Sequence, residues 1–142
     1  MSVNEDLLKA LRKGLIDNKD SITDGVVIVL GYPVKFDSID YEPDAGDPYI
    51  ATHYLPASSD VVETGNTKRD HEGVYQIDVN SPMGEISSMY EKADSIEGFY
   101  SAGSTLTFGA VSVVVTNTNA SPVRKSGAFG TISISISYSS QN

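Results

Sequence analysis

The sequence predicts a single α+β domain in which two amphipathic helices pack on one face of a mainly antiparallel or mixed sheet. Its 142 residues suit one domain with one hydrophobic core. Two segments carry apolar residues at helical spacing, and six carry the β-branched runs or the alternation that is typical of strands. The predicted order along residues 1–142 is helix, three strands, helix, three strands.

Both helices are predicted from apolar residues that recur every three or four positions. Ser2 and Glu5 form a capping box at the start of the first. We assign residues 1–20 to an N-terminal helical segment, with the helix itself at about 3–16 and its end near Gly14 and Asn18. The second helix is expected at about 85–98, with its apolar side formed by Ile86, Met89, Tyr90, Ala93 and Ile96.

The strands are predicted from short β-branched runs and from alternation. Residues 26–30 and 49–56 are predicted to be buried strands, and 73–80 alternates apolar with polar positions as a half-buried strand does. Residues 104–117 indicate two strands joined tightly at Gly109. In 131–138 isoleucines alternate with hydroxyl residues, so that one face is apolar and the other carries hydroxyls.

Charge and composition exclude several classes of protein. All 19 acidic and 8 of the 10 basic residues lie in residues 1–97, which gives that segment a charge of −11 and the remainder +2. So acidic a chain offers few cations to DNA phosphates. It contains no cysteine for a disulfide or a thiolate nucleophile. The longest apolar run, 26–30, is too short to cross a bilayer, and the N-terminus does not resemble a signal peptide.

The motifs that could carry chemistry are weak. "NSPMGE" at 80–85 has one glycine and no lysine, so we interpret it as a turn and not a phosphate loop. The acids of 37–47 lack the glycine and glutamate spacing of a calcium loop. His53 and His71 have no neighbouring ligand at metal-site spacing. We therefore expect no enzyme, no cofactor and no metal. A metal-dependent hydrolase built on the 37–47 carboxylates and a small-ligand binding domain stay open as alternatives.

A long polar segment, 57–72, separates the second and third predicted strands and exceeds what a hairpin needs. It contains the adjacent pair Lys68 and Arg69, flanked by acids that include Asp70. The segment is either a protruding arm that contacts a protein partner or a loop without a function.

Several of these stretches together resemble the tail-terminator family of phages with long non-contractile tails, the lambda gpU-like proteins. The matching stretches are "DPYIATHYLPA", "GVYQIDVNSPMGE", "YEKADSIEGFY" and "GSTLTFGAVSVVV", which span roughly residues 30–140 in the family's order. The chain departs from the family between residues 31 and 48, where single prolines replace the paired prolines and the asparagine that such proteins often carry.

The resemblance implies a virion structural protein of the phage tail, assembled in the host cytoplasm without a membrane. It implies a homo-oligomeric ring of six subunits that caps the tail tube, stops its polymerisation and offers a surface to the head-tail connector. DNA would pass through the ring without specific binding. A neck or tail-completion adaptor that binds the connector is the alternative within the same setting. Candidate partner-interface residues are Lys68, Arg69, Asp70, Arg124 and Lys125, and candidate residues lining the DNA channel are Asp37, Asp40, Glu42, Asp44 and Asp47.

Overall fold

A computed structural model describes residues 3–23, 25–36, 47–61, 69–82, 86–109, 111–126 and 129–141. Two helices lie in these ranges, α1 (Val3–Ile16) and α2 (Ile86–Phe99). The strands are β1 (Ser21–Thr23), β2 (Val26–Val29), β3 (Tyr32–Lys35), β4 (Tyr49–Val61), β5 (Arg69–Pro82), β6 (Thr105–Phe108), β7 (Val111–Ala120), β8 (Arg124–Ser126) and β9 (Phe129–Gln141). Both predicted helices are confirmed, and each of their ends agrees with the structure to within one residue.

All described strands belong to one sheet. Their order is β1-β2-β3-β4-β5-β9-β7-β6, and β8 pairs with β9. Every pair is antiparallel except β3 with β4, which is parallel. The sheet is centred on β5 and β9, which pair from Asp70↔Gln141 to Pro82↔Phe129.

Both helices pack on the same face of this sheet, as predicted. Helix α1 contacts β6 and β7 and reaches β2, whereas α2 contacts β5, β9 and β7. The helices bury one side each, formed by Leu7, Ala10, Leu11 and Leu15 in α1 and by Met89, Ala93 and Ile96 in α2. The fold is therefore α+β, mainly antiparallel, with one helix layer.

The alternation in the central strands sets which side chains enter the core. The apolar side of β9 is fully buried, and the apolar side of β5, which pairs with it in register, is fully buried as well. The buried residues are Tyr75, Ile77 and Val79 of β5 and Ile132, Ile134 and Ile136 of β9. Burying an aliphatic side chain of this size stabilises the fold by about 1.5–3 kcal/mol. The predicted facing of both strands is confirmed.

The hairpin predicted at Gly109 is also present. Strands β6 and β7 pair up to Phe108↔Val111, and Gly109 has a positive φ of 59°. Such a turn accommodates glycine without the steric cost that a Cβ brings.

Three short strands, β1, β3 and β8, are absent from the sequence prediction. Each has only three or four residues, so its assignment depends on a neighbouring strand and not on its own periodicity. The strand predicted as buried at 26–30 is β2, of which Val29 is buried and the other residues are partly exposed. Strand β2 lies next to the sheet edge at β1, away from the strands that α2 contacts.

The segment 57–72, which we predicted to be a polar loop or arm, is in part strand. Strands β4 and β5 continue their pairing as far as Val61↔Arg69, with a register shift between Pro56 and Ser59. Residues 62–68 lie outside the described ranges. The described part of this segment is therefore an extension of the β4–β5 hairpin, because two polar strands can pair through their backbones without an apolar pattern.

Candidate interaction surface

The sheet face turned away from the helices is polar, and we call it the open face. Among the described residues no helix packs on it. Its side chains come from the positions of β4, β5, β9 and β7 that alternate with core residues, together with Lys35 of β3 beside Ala51. These positions include Tyr49, Ala51, His53, Leu55, Gln76, Asp78, Asn80, Asn117, Asn119, Thr131, Ser133, Ser135 and Ser137.

The centre of the open face is organised around Asp78. Its Oδ2 lies 3.2 Å from His53 Nε2, and Gln76 Nε2 donates a hydrogen bond to its Oδ1 at 2.9 Å. The side chain of His53 is 47% exposed, whereas that of Asp78 is only 14% exposed. The carboxylate is thus held in one orientation at the surface by partners on both oxygens.

A cavity opens beside this carboxylate. It measures about 360 Å³, and its lining includes Lys35, Tyr49 and Ala51 as well as His53, Asp78 and Asn80. The lining mixes a cation, a carboxylate, an amide and aromatic carbon. Such a mixture suits an amphipathic group from a partner, one with an apolar body and a polar tip.

Strand β8 and the residues before it lie along the same face. Arg124 Nη2 donates to Ser133 Oγ, and the backbone N–H of Ser133 donates to Ser121 Oγ at 3.0 Å. Ser133 is consequently 8% exposed, so the hydroxyl side of β9 is not uniformly open to solvent as its alternation suggests. Arg124 and Lys125 are themselves exposed. Arg124, in register with Thr131, brings a positive charge to this end of the open face, whereas Lys125, in register with Gly130, lies on the other side of the sheet.

The opposite end of the open face is apolar. Leu55 is exposed beside the half-buried Val74, with which it is in register. Val114 is exposed on β7, in register with Ser139. Exposed aliphatic side chains on a strand face are typical of contact surfaces when they cluster with polar residues.

On the far side of the domain, α2 presents a different surface. Its outward side carries Ser87, Tyr90, Glu91, Asp94, Ser95 and Gly98, all of which are exposed. Tyr90, which we predicted on the apolar side of this helix, is instead 45% exposed, a large fraction for an aromatic residue. The cation of this helix, Lys92, is directed sideways onto the Tyr32 ring at 4.6 Å and bonds to Ser88 Oγ at 3.0 Å. The outward side of α2 is therefore acidic with one aromatic residue.

The residues predicted to form sites are placed as follows. Arg124 and Lys125 are exposed on β8, and Asp47 is exposed just before β4. Arg69 and Asp70 begin β5, where Asp70 pairs with both Asp60 and Gln141. The remaining predicted residues lie outside the described ranges, and these are Asp37, Asp40, Glu42, Asp44 and Lys68.

The sequence analysis did not predict the cavity or the group of side chains around Asp78. Alternation in β5 separates Gln76, Asp78 and Asn80 from the core positions, which is a usable signal. The partners His53 and Lys35 come from other strands, and their proximity depends on the β3–β4 and β4–β5 registers. Neither register can be derived from local periodicity.

Two features are absent from the ranges that the structure describes. No helix there is both long enough and apolar enough to cross a membrane. No group of three or more His, Asp or Glu side chains is close enough there to hold a metal ion.

Comparison with known proteins identifies the family. The model of the family described as "Phage tail terminator protein" matches residues 6–138. No curated protein matches the sequence. A solved structure identified by a sequence number alone superposes with a TM-score of 0.78 at 24% identity, covering 100% of this chain and 97% of the other. A chain from the virion of a native gene transfer agent particle gives a TM-score of 0.61 at 15% identity, covering 99% and 98%. Both likenesses are in fold, and the family match spans nearly the whole chain: the chain belongs to the phage tail terminator family.

Proposed function

We propose that the protein ends the phage tail tube. Six copies close into a ring on the last ring of the tube, stop its polymerisation and provide the surface to which the head-tail connector attaches. The observation that carries this proposal is the family match over residues 6–138, because it includes α2 in full and nearly all of α1 and of the sheet. The protein acts as an assembly part of the virion and performs no catalysis.

The surface chemistry supports a role in assembly. In a head-to-tail ring, one surface of each subunit binds a different surface of the next subunit. The domain offers an open sheet face with the exposed cation Arg124 on one side and an acidic helix surface on the other. A mixed polar and apolar surface of this kind is typical of protein contacts.

The acidic residues suit a conduit for DNA. We assign Asp37, Asp40, Glu42, Asp44 and Asp47 to the lining of the ring's channel. The sequence places these five carboxylates within eleven positions. Like-charge repulsion would keep the genome from adhering while it passes, and few cations are available in this part of the chain to bind its phosphates.

Tube polymerisation in vitro tests the proposal. Purified tail tube protein is allowed to polymerise with increasing amounts of this protein, and tube lengths are measured by electron microscopy. We expect the mean length to fall as the molar ratio rises, because each capped end stops growing. An unrelated acidic protein of similar size and net charge is the control and should leave the lengths unchanged.

An unchanged length distribution at saturating amounts would overturn the proposal. Binding to the isolated connector without any effect on tube length would point to the neck adaptor. Assembly in the host cytoplasm belongs to the same proposal and predicts that the protein is recovered with unattached tails from infected cells.

A further inference from the structure

We infer that, in the ring, the outward side of α2 from one subunit docks on the open face of the next, with Tyr90 entering the cavity beside Asp78. The inference rests on the proposed ring and specifies its subunit interface. The occupant of the open face is thus a second copy of this chain. Three features of the described residues support it: opposed placement, opposite charge, and a match between an exposed aromatic residue and a cavity.

The two surfaces lie on opposite sides of the sheet. Helix α2 packs on β5, β9 and β7 from one side, and the open face is the other side of the same strands. A subunit with complementary surfaces on opposite sides joins its neighbours in a heterologous chain that can close into a ring. The same placement disfavours a two-fold dimer, in which each subunit would have to use both sides at once.

The charges of the two surfaces are opposite. Glu91 and Asp94 are exposed on the outward side of α2, where the helix's own Lys92 is directed onto the Tyr32 ring. Arg124 and Lys125 are exposed on β8, and Arg124, in register with Thr131, lies at one end of the open face. These two are the cations of residues 98–142, a part of the chain without acids. Opposite charges steer association and set the register of an interface.

The cavity offers a receptor for Tyr90. At about 360 Å³ it has room for a phenol ring, and its lining gives the ring Tyr49 and Ala51 to pack against. The Asp78 carboxylate, held by His53 and Gln76, is an acceptor for the phenol hydroxyl. Tyrosine is among the residues enriched at the centres of interfaces, because it buries a large area and keeps one hydrogen bond.

Charge reversal tests this interface. In the first variant Glu91→Lys and Asp94→Lys make the helix surface positive; in the second Arg124→Glu makes its end of the open face negative. Each variant alone places like charges against each other, so we expect about tenfold fewer tube ends that carry a ring, scored by electron microscopy. The control is Asp17→Lys, which reverses an exposed acid at the end of α1 and should leave the count at the wild-type level.

An equal mixture of the two variants is the decisive sample. Each reversed helix surface then finds a reversed sheet surface, and a ring of six can alternate the two variants around its circle. We expect the mixture to restore terminal rings to nearly the wild-type count, although neither variant forms them alone. Tyr90→Ala should lower the count in the wild-type background, whereas Ser87→Ala on the same helix side should not.

The outcomes separate this inference from the proposed function. If the wild-type protein forms no terminal ring, the ring itself is wrong and the interface falls with it. If wild-type rings form but both variants also form rings alone at the wild-type count, the ring stands and the interface is wrong. If the variants fail and the mixture is not restored, the open face contacts the tube protein and not a second copy, which also overturns the inference.

Discussion

Gly14 of α1 is in direct contact with the ring of Tyr100, the residue that follows α2. A Cβ at Gly14 would lie 2.3 Å from Cζ of the Tyr100 ring, where no real Cβ can sit. The Tyr100 hydroxyl passes beside Gly14 and donates a hydrogen bond to the Leu11 carbonyl at 2.5 Å. A glycine is therefore required at position 14 because a larger residue would clash with the Tyr100 ring. From the sequence alone, a glycine at this position suggests the end of a helix.

The first prediction follows from that contact. Gly14→Ala should destabilise the protein by about 1–3 kcal/mol, because overpacking against a buried ring outweighs alanine's better helix propensity. The matched control is Gly98→Ala in α2, where a Cβ meets nothing within 4 Å. There the propensity gain of up to about 1 kcal/mol should appear. Urea unfolding of both variants measures the difference, and equal stabilities would contradict the packing.

A second prediction concerns the facing of β9. Ile134 is fully buried against the core, whereas its neighbour Ser135 is partly exposed on the open face. Ile134→Asp should prevent folding, because burying an unpaired charge costs several kcal/mol. Ser135→Asp should be mild by comparison. Circular dichroism melting of the two variants checks this, and similar melting temperatures would mean that the facing is wrong.

The third prediction is a loss of stability at alkaline pH. Burial raises the pKa of the Tyr100 hydroxyl well above its usual 10, and the neighbouring Tyr75 raises it further. In the unfolded chain this tyrosine ionises near pH 10, so its contribution to stability is complete below that pH and is lost as pH rises above it. The slope reaches about 1.4 kcal/mol per pH unit for one such group.

Tyr100→Phe isolates this effect. We expect it to cost about 1 kcal/mol at neutral pH through the lost hydrogen bond, and to flatten the decline above pH 10. Burial also raises the pKa of Tyr138, so part of the decline should remain. Urea unfolding across the alkaline range gives the measurement; parallel curves for wild type and Tyr100→Phe would refute the assignment.

The fourth prediction concerns the two adjacent cations of the polar segment 57–72. Lys68→Glu with Arg69→Glu should leave the melting temperature nearly unchanged, as surface substitutions usually do. The double variant should weaken capping of the tail tube. A partner surface that carries carboxylates would bind it more slowly and in a less well defined register. In a complementation assay we expect abnormally long tails and heads that fail to attach. Normal tails with normal infectivity would show that this charge lies outside the interface.

Residues that belong to a short repeating pattern of apolar and polar positions were predictable from sequence. Ile132, Ile134 and Ile136 alternate with hydroxyl residues, and that period alone placed them in the core. The apolar side of α1 and the turn at Gly109 were predictable for the same reason, since period and turn chemistry act within a few residues.

Features that depend on distant pairing were not predictable. Strand β8 exists because Arg124 pairs with Thr131, and Ser133 is covered because Ser121 and Arg124 bond to it. From the sequence, Gly14 suggests a helix end. The ring that requires a glycine there belongs to Tyr100, 86 positions away. The candidate interface combines His53, Asp78 and Lys35 from three strands, and only the sheet registers bring them together.

The measurement that tests the central claim most directly is an averaged electron microscopy image of tail tubes capped with the purified protein, with its free oligomeric state measured by mass photometry. We predict that the free protein is monomeric or weakly associated and that one terminal ring of six subunits closes the tube end. Protein rings repeated along the tube, a stable dimer in both settings, or a tube end without this protein would contradict the claim.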